Sequence, residues 1–257
     1  MQSNKKVLVI NDFVNTSHIA LNLQQAFLND QQLNCISLPS ALFSNTFNLG
    51  KPAMVDLSGY LKASLEQYSH LNFAFDGLLT GYLLNTDQVV LIEQWIRNHP
   101  ETLIVSDPVM GDNGTLYQSL DRDIIKVYQR MVASSDVMVP NLTEARLLLD
   151  LEPDLVMSHE KALELVTRLQ KLNQKSVVIT SVPINGQALI YGYDHIKDQH
   201  FKLAYEAIAG KFYGTGDLFS VALFYQLLKG VSLEEAVHFA SENVSVRIMK
   251  QKAWKSL

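Results

Sequence analysis

The stretch Gly210-Lys-Phe-Tyr-Gly-Thr-Gly-Asp217 combines a backbone-permissive turn with a carboxylate, and an apolar run from Leu218 to Leu228 follows it directly. Phe219, Ala222, Leu223 and Leu227 fall at helical spacing and Gly230 offers a C-terminal stop, so the spacing predicts a glycine turn opening into a buried helix. Unpaired N–H groups and the positive end of the helix dipole make an anion site there, formed by Gly214, Thr215 and Gly216. Asp217 then reads in two ways. It is either a capping carboxylate in the first turn, or a general base that takes a proton from a hydroxyl while the turn holds the phosphoryl group under attack. A lone GxGD does not choose between them.

A second group of oxygens lies in the middle of the chain. Asp107-Pro-Val-Met-Gly-Asp112-Asn-Gly-Thr-Leu-Tyr117 sets two carboxylates either side of a turn, and Asn141 and Glu144 are spaced as on one helical turn. Asp107, Asp112 and Glu144 supply the hard oxygen ligands that suit Mg2+. The plainer alternative is turn chemistry for Asp112-Asn-Gly, with Asn141 capping the helix that carries Glu144.

These residues need a scaffold, and the chain predicts one. Short apolar runs suited to buried strands occur at Val7–Ile10, Leu33–Leu38, Phe73–Leu79, Thr102–Ser106, Asp136–Val139 and Ser176–Ser181. Helical patterns alternate with them: about His18–Leu28 with Thr16 or Ser17 as cap, then Asp56–Leu71, Asp87–Asn98 and Asp121–Ala133. Further helices are expected at 143–150, 158–173 and Leu233–Lys250. Gln187–Tyr193 and His200–Tyr205 read as an antiparallel pair, and Leu42–Gly50 as a loop or short edge ribbon near a ligand. The alternation argues one domain over 1–257 with a mostly parallel sheet covered by helices on both faces. Ligands bind beyond the C-terminal ends of such strands, which is where Asn11-Asp12, Thr80-Gly81-Tyr82, Asp107, Asn141, Thr180-Ser181 and the Gly214–Asp217 turn all fall.

Composition narrows the function. In 257 residues, a hydrophobic share of 47% and a charged share of 18% describe a globular chain with a large core. A net charge of −5 favours neither nucleic acid nor an anionic membrane, so phosphate must be bound by local geometry. The lone Cys35 forms no internal disulfide and reads as a core residue. No apolar segment suits a signal peptide or a membrane span, which leads us to expect a cytoplasmic protein. No GxxxxGK[ST], no GxGxxG after the first strand and no GxSxG elbow occurs, and the histidines lack metal-motif spacing.

Taken together the motifs resemble the ribokinase-like superfamily and, within it, the pyridoxal (pyridoxine, pyridoxamine) kinases. Phe43-Ser-Asn45, Gly81-Tyr82, Asp107-Pro-Val-Met-Gly-Asp112, Leu116-Tyr117, Pro140-Asn141-x-x-Glu144, Val177–Ser181 and Gly214-Thr-Gly-Asp217-Leu-Phe carry the resemblance nearly end to end. It implies a three-layer α/β/α sandwich and MgATP-dependent phosphorylation of the 5′-hydroxymethyl group of vitamin B6 forms, often by a homodimer. Asp217 would be the base; Asp112 and Glu144 would act on Mg2+ directly or through water. Asp107 would lie near the triphosphate and a monovalent cation, K+ or Na+. Asn141, Thr180 and Ser181 would contact ATP phosphates, and Ile208 to Gly210 would flank the nucleotide. Asp12, the loop Asn45-Thr46-Phe47, Tyr82 and Asp217 would meet the pyridine substrate. Two departures touch the substrate side: Asp12 stands where the family usually has Ser, and Phe47 or Thr46 where it has Thr. An acid at 12 would pair with a protonated ring nitrogen or signal another substrate. Hydroxymethylpyrimidine (phosphate) kinase, which shares the fold and DPVM but typically carries Cys at the position of Asp217, is the nearest alternative; a B6- or nucleotide-binding protein without turnover is the other.

Overall fold

Strand β1 (Lys6–Val14) sits near the centre of the fold, and its side chains alternate between two cores. The computed structural model of the protein describes residues 5–152, 156–208, 210 and 212–255. Val7 and Val9 face one cluster while Leu8 and Ile10 face the other, all at most 1% exposed. A strand buried on both faces reads as a continuous apolar run, and that is why this one does. From it the chain runs through α1 (Ala20–Asp30), β2 (Asn34–Phe43), β3 (Met54–Asp56), α2 (Ser58–His70), β4 (Gly77–Thr80), α3 (Thr86–Arg97) and β5 (Leu103–Ser106). A small ribbon, β6 (Gly111–Asp112) with β7 (Thr115–Leu116), precedes α4 (Ile124–Ala133), β8 (Val137–Met138), α5 (Leu142–Leu147) and α6 (His159–Asn173). The chain ends with β9 (Ser176–Ile184), β10 (Gln187–Asp194), β11 (Gln199–Tyr205), α7 (Thr215–Leu228) and α8 (Leu233–Lys255).

The main sheet has nine strands in the order β11-β10-β9-β8-β5-β4-β1-β2-β3. β2, β1, β4, β5, β8 and β9 are mutually parallel; β3 at one edge and β10 near the other run against them, and β11, antiparallel to β10, returns to their direction. Residues of α2, α3, α4 and α6 fill one core, and those of α1, α7 and α8 the other, giving the expected three-layer sandwich. From β1 the chain builds outward to β2 and β3, then returns to build β4, β5, β8 and β9 on the other side. The strand order therefore reverses at β1/β4, and a crevice opens at the C-terminal ends of these two strands. None of the described helices is long and apolar enough to cross a membrane.

Several boundaries depart from the sequence expectation for identifiable reasons. β4 begins at Gly77 instead of residue 73, because Phe73 and Phe75 are drawn into an aromatic cluster with Tyr68 and Trp95, ring centroids 5.7–6.2 Å apart. β9 continues to Ile184 because Asn185-Gly186, both at positive φ (51° and 78°), make a tight hairpin into β10. α1 begins at Ala20, and neither Thr16 nor Ser17 caps it.

The sheet meets α7 closely at Gly77, where a Cβ would lie 2.6 Å from Phe224 Cζ and 2.8 Å from Leu228 Cδ2. Gly77→Ala should therefore cost about 1–3 kcal/mol, read as a lower urea midpoint, since the ring is fully buried and has nowhere to move.

Candidate active site

The crevice collects polar groups from successive strand ends. Asn11 and Asp12 come from β1, Thr80-Gly81-Tyr82 from the end of β4, Asp107 from the end of β5, Asn141 from the end of β8, and Thr180 and Ser181 from β9. A register irregularity between β1 and β2, where Asn11 pairs with Pro39 but Phe13 with Leu42, twists the strand at Asp12. Thr180 and Ser181 sit in a second irregularity, opposite Ile190, and Ser181 takes a left-handed φ of 59°. Chain irregularities of this kind re-aim side chains at functional sites.

Asp217 is the third residue of α7, behind Gly214, which takes a left-handed φ of 75° as N-cap. Its carboxylate is half-buried and held at both oxygens: Asn11 Nδ2 donates to Oδ1 at 3.2 Å, and the backbone N–H of Ala20 to Oδ2 at 2.9 Å. Burial raises its pKa; these two donors and the Arg247 guanidinium of α8 oppose the rise. The capping reading of Asp217 is met on a different helix: its carboxylate accepts from the first residue of α1, which starts at a left-handed Ala20 (φ 49°). Gly216 lies open, with nothing within 4 Å of where a Cβ would stand.

Around it stand further acids. Asp107 is 6% exposed and pushed up to about 7, first by burial and then by Asp217, with Ser220 tempering the shift. Asp12 reaches about 7 for the same two reasons. Glu144 is 3% exposed, and burial followed by Asp107 raises it well above the usual carboxylate range. The Tyr117 hydroxyl is pushed far up by burial and then by the charges of Glu144, Asp112, Asp107 and Asp217.

On the Tyr82 side the wall is aromatic. Tyr82, 5% exposed, packs edge-on to Phe43 at 5.6 Å, and Phe43 to Phe47 at 5.9 Å. Burial, with Asp12 adding to it, lifts the Tyr82 hydroxyl to about 12 while Ser119 beside it pulls the other way. The Tyr128 hydroxyl of α4 accepts from the Leu83 N–H at 2.8 Å and shares its one proton between the Val109 and Gly81 carbonyls at 3.0 and 3.3 Å, fixing this strand end from behind.

A family model described as phosphomethylpyrimidine kinase matches residues 59–256. The chain belongs to that family. Among solved structures, a Bacteroides thetaiotaomicron protein provisionally named a phosphomethylpyrimidine kinase, solved with pyridoxal, is 28% identical with a TM-score of 0.89 over 93% of this chain and 86% of its own. Pyridoxal kinase from Lactobacillus plantarum is 26% identical with a TM-score of 0.90, covering 98% and 91%. A Schizosaccharomyces pombe protein provisionally named a pyridoxal kinase is 29% identical over 231 residues, 84% of this chain and 66% of that relative's length.

Some expected site residues are engaged differently from the sequence reading. Asn141 caps α5 in a capping box: its Oδ1 accepts from the Glu144 N–H at 3.0 Å while its Nδ2 donates to the Gly111 carbonyl at 2.8 Å. Glu144 has both oxygens on backbone donors, Met110 N–H at 3.1 Å and Asn141 N–H at 2.9 Å. Asp112 is exposed and accepts from Asn113 N–H and Nδ2 at 2.8 and 2.9 Å, with Asn113 and Gly114 at φ 50° and 79° forming the β6–β7 turn. Asp107, Asp112 and Glu144 therefore do not share one coordination sphere, and among the described residues no three metal-binding side chains gather closely enough to hold an ion together. The Asn45 amide is bound to its own loop, donating to the Thr46 and Gly50 carbonyls at 3.1 and 3.0 Å, while Thr46 precedes a single 3-10 turn, Phe47–Leu49, without capping it through its side chain. Ile208 is half-buried and Gly210 exposed at φ 142°; residue 209 between them lies outside the described residues.

Other participants carry no signal in the sequence. Arg247, forty-odd residues into the C-terminal part of the chain beyond β11, bonds through Nη2 to the His18 carbonyl at 3.1 Å and favours an ionised Asp217. Ser220 lies one turn beyond Asp217, and Gln24 one turn into α1; both are fully buried against the site. No local pattern marks them, because the contacts that tie them to other elements span 13 to 229 residues.

Proposed function

We propose that this chain transfers the γ-phosphoryl group of ATP to the 5′-hydroxymethyl group of pyridoxal, pyridoxine or pyridoxamine. The observation that carries the reading is Asp217: a carboxylate oriented by two donors at the mouth of a buried helix, beside an open glycine turn and an aromatic-walled crevice. Asp217 takes the proton from the attacking hydroxyl, and the Gly214, Thr215 and Gly216 amides receive the phosphoryl group as its charge grows. Asp12, Asn45, Thr46, Phe47 and Tyr82 form the ring pocket; Asn141, Glu144, Thr180, Ser181, Ile208 and Gly210 line the nucleotide side.

Mg2+ suits the oxygen donors here as an ion that arrives on the triphosphate, where it offsets phosphate charge. Asp112 and Glu144 act on it through water, since both are already hydrogen-bonded. Asp107, buried and raised by a neighbouring acid, suits a K+ or Na+ beside the triphosphate. A single domain, acting in the cytoplasm as a homodimer, completes the reading. The edge of β3, with Phe47, Leu49, Met54 and Val55 exposed beside it, supports self-association. Phosphorylation of hydroxymethylpyrimidine is the second reading, favoured by the description of the matching family.

An ATP-consumption screen over pyridoxal, pyridoxine, pyridoxamine and hydroxymethylpyrimidine separates these readings from a binder, which consumes nothing. Turnover with the pyrimidine alone would overturn the first. Asp12→Ser should change KM for the preferred alcohol by at least about fivefold while KM for ATP moves less than about twofold. Equal changes in both constants would remove Asp12 from the ring pocket.

A further inference from the structure

Asn11 uses its whole hydrogen-bonding capacity at the junction between base and alcohol pocket. The residue is 0% exposed. Its Oδ1 accepts from the Asp12 N–H at 2.9 Å and the Tyr82 N–H at 2.7 Å. Its Nδ2 donates to Gln24 Oε1 at 2.9 Å and to Asp217 Oδ1 at 3.2 Å. An amide has two acceptor and two donor positions, and all are taken. The orientation of the amide is fixed by chemistry: two backbone N–H groups require the carbonyl end, so the NH2 end must face the carboxylate.

Gly81 explains itself in the same place. A Cβ there would stand 2.4 Å from Asn11 Cγ and 2.5 Å from Nδ2 and Oδ1, so the glycine exists to let the amide lie flat against the β4 end. Gln24 is anchored in turn, its Nε2 donating to Ser220 Oγ at 3.4 Å, and Ser220 Oγ donates to the Asp217 carbonyl at 3.2 Å.

We infer that Asn11 is the positioning residue of the site: its NH2 end orients the Asp217 carboxylate, its carbonyl end fixes the backbone of the ring pocket at Asp12 and Tyr82, and the two are thereby held in register. The inference rests on the reading of Asp217 as the base. The two ends of the amide have separable consequences. Asn11→Asp keeps the acceptor end and hence the pocket wall. At the other end Gln24, turned over, offers its NH2 to the new carboxylate and gives up its long bond to Ser220, whose one proton stays on the Asp217 carbonyl. Asp217 loses its Asn11 donor and faces a like group, keeping only the Ala20 N–H.

Asn11→Asp should therefore lower kcat about 10²-fold while KM for the alcohol and for ATP stay within about threefold. A merely structural role would move KM for the alcohol as much as kcat, and that result, or a kcat within about twofold of the parent, overturns the inference. Gly81→Ala displaces the amide without altering it. It should lower kcat at least about tenfold and raise KM for the alcohol but not for ATP; unchanged kcat sinks the inference even if Asn11→Asp does not fold. A readout independent of turnover is the carboxyl carbon resonance of Asp217, identified by its loss in Asp217→Asn. It should move in Asn11→Asp and Gly81→Ala. If the parent phosphorylates none of the alcohols but this resonance moves, the substrate reading has failed and the positioning role stands; an unmoved resonance overturns the positioning role itself.

Discussion

Replacing Asp217 by alanine should lower turnover by at least about 10²-fold and leave nucleotide affinity within a few-fold. A general base positioned on a hydroxyl is worth about 10²–10⁴ in rate, and the proposed nucleotide side of the crevice draws on other residues. The substitution has a second, smaller effect that follows from geometry alone. The Ala20 N–H and one Asn11 proton lose their acceptor, so α1 loses its cap and stability should drop by about 1 kcal/mol. Single-turnover kinetics on pre-bound substrates separates the two, because a cap defect lowers the urea midpoint without slowing chemistry. Undiminished single-turnover rates would exclude Asp217 as the base.

The second large effect is one of pH. Asp107 in the ligand-free protein takes up its proton near 7, against a model carboxyl value of 3.8. Between those values the folded chain holds a proton that the unfolded chain has released, so this group's contribution to stability is present in full below 3.8 and is lost as pH rises through 7. Asp107→Asn removes the ionisable group, and at pH 8 the ligand-free variant should be more stable than the parent by on the order of 3 kcal/mol. Near pH 4 the two should unfold alike. Activity should fall sharply in the same variant, since the charge that destabilises the free protein is the one that would hold a cation. Urea unfolding at both pH values measures this, and equal stability at pH 8 would show that Asp107 is not ionised at cost in the free state.

Much of this was legible in the chain. The buried helix behind Gly214, the alternation of strand and helix, and the collection of polar residues at strand ends all follow from periodicity and punctuation, which are local. The antiparallel β10–β11 pair was also readable. The register irregularities beside Asp12 and Thr180-Ser181 were not, because they arise from how a neighbouring strand pairs. The Asn185-Gly186 hairpin is written in the sequence as two residues that favour positive φ, beyond the expected end of β9. Asn141 and Glu144 bear out the capping alternative in full, and it is the same contact that prevents Glu144 from acting as a free metal ligand. Asn11 and Gln24 look like ordinary amides in an apolar context; only the fold shows that each faces a partner from another layer. Arg247 shows the same limit on the charged side, since its relevance depends on α8 crossing the loop before α1.

The contact between Asp217 and the Ala20 N–H joins positions 197 apart in the chain. During synthesis, the start of the first helix has no acceptor for that amide until more than four fifths of the polypeptide has emerged. A chain that stops short of that point consequently lacks both the proposed base and the group that secures its first helix, so on that reading chemical competence and the closing of the first helix arrive together.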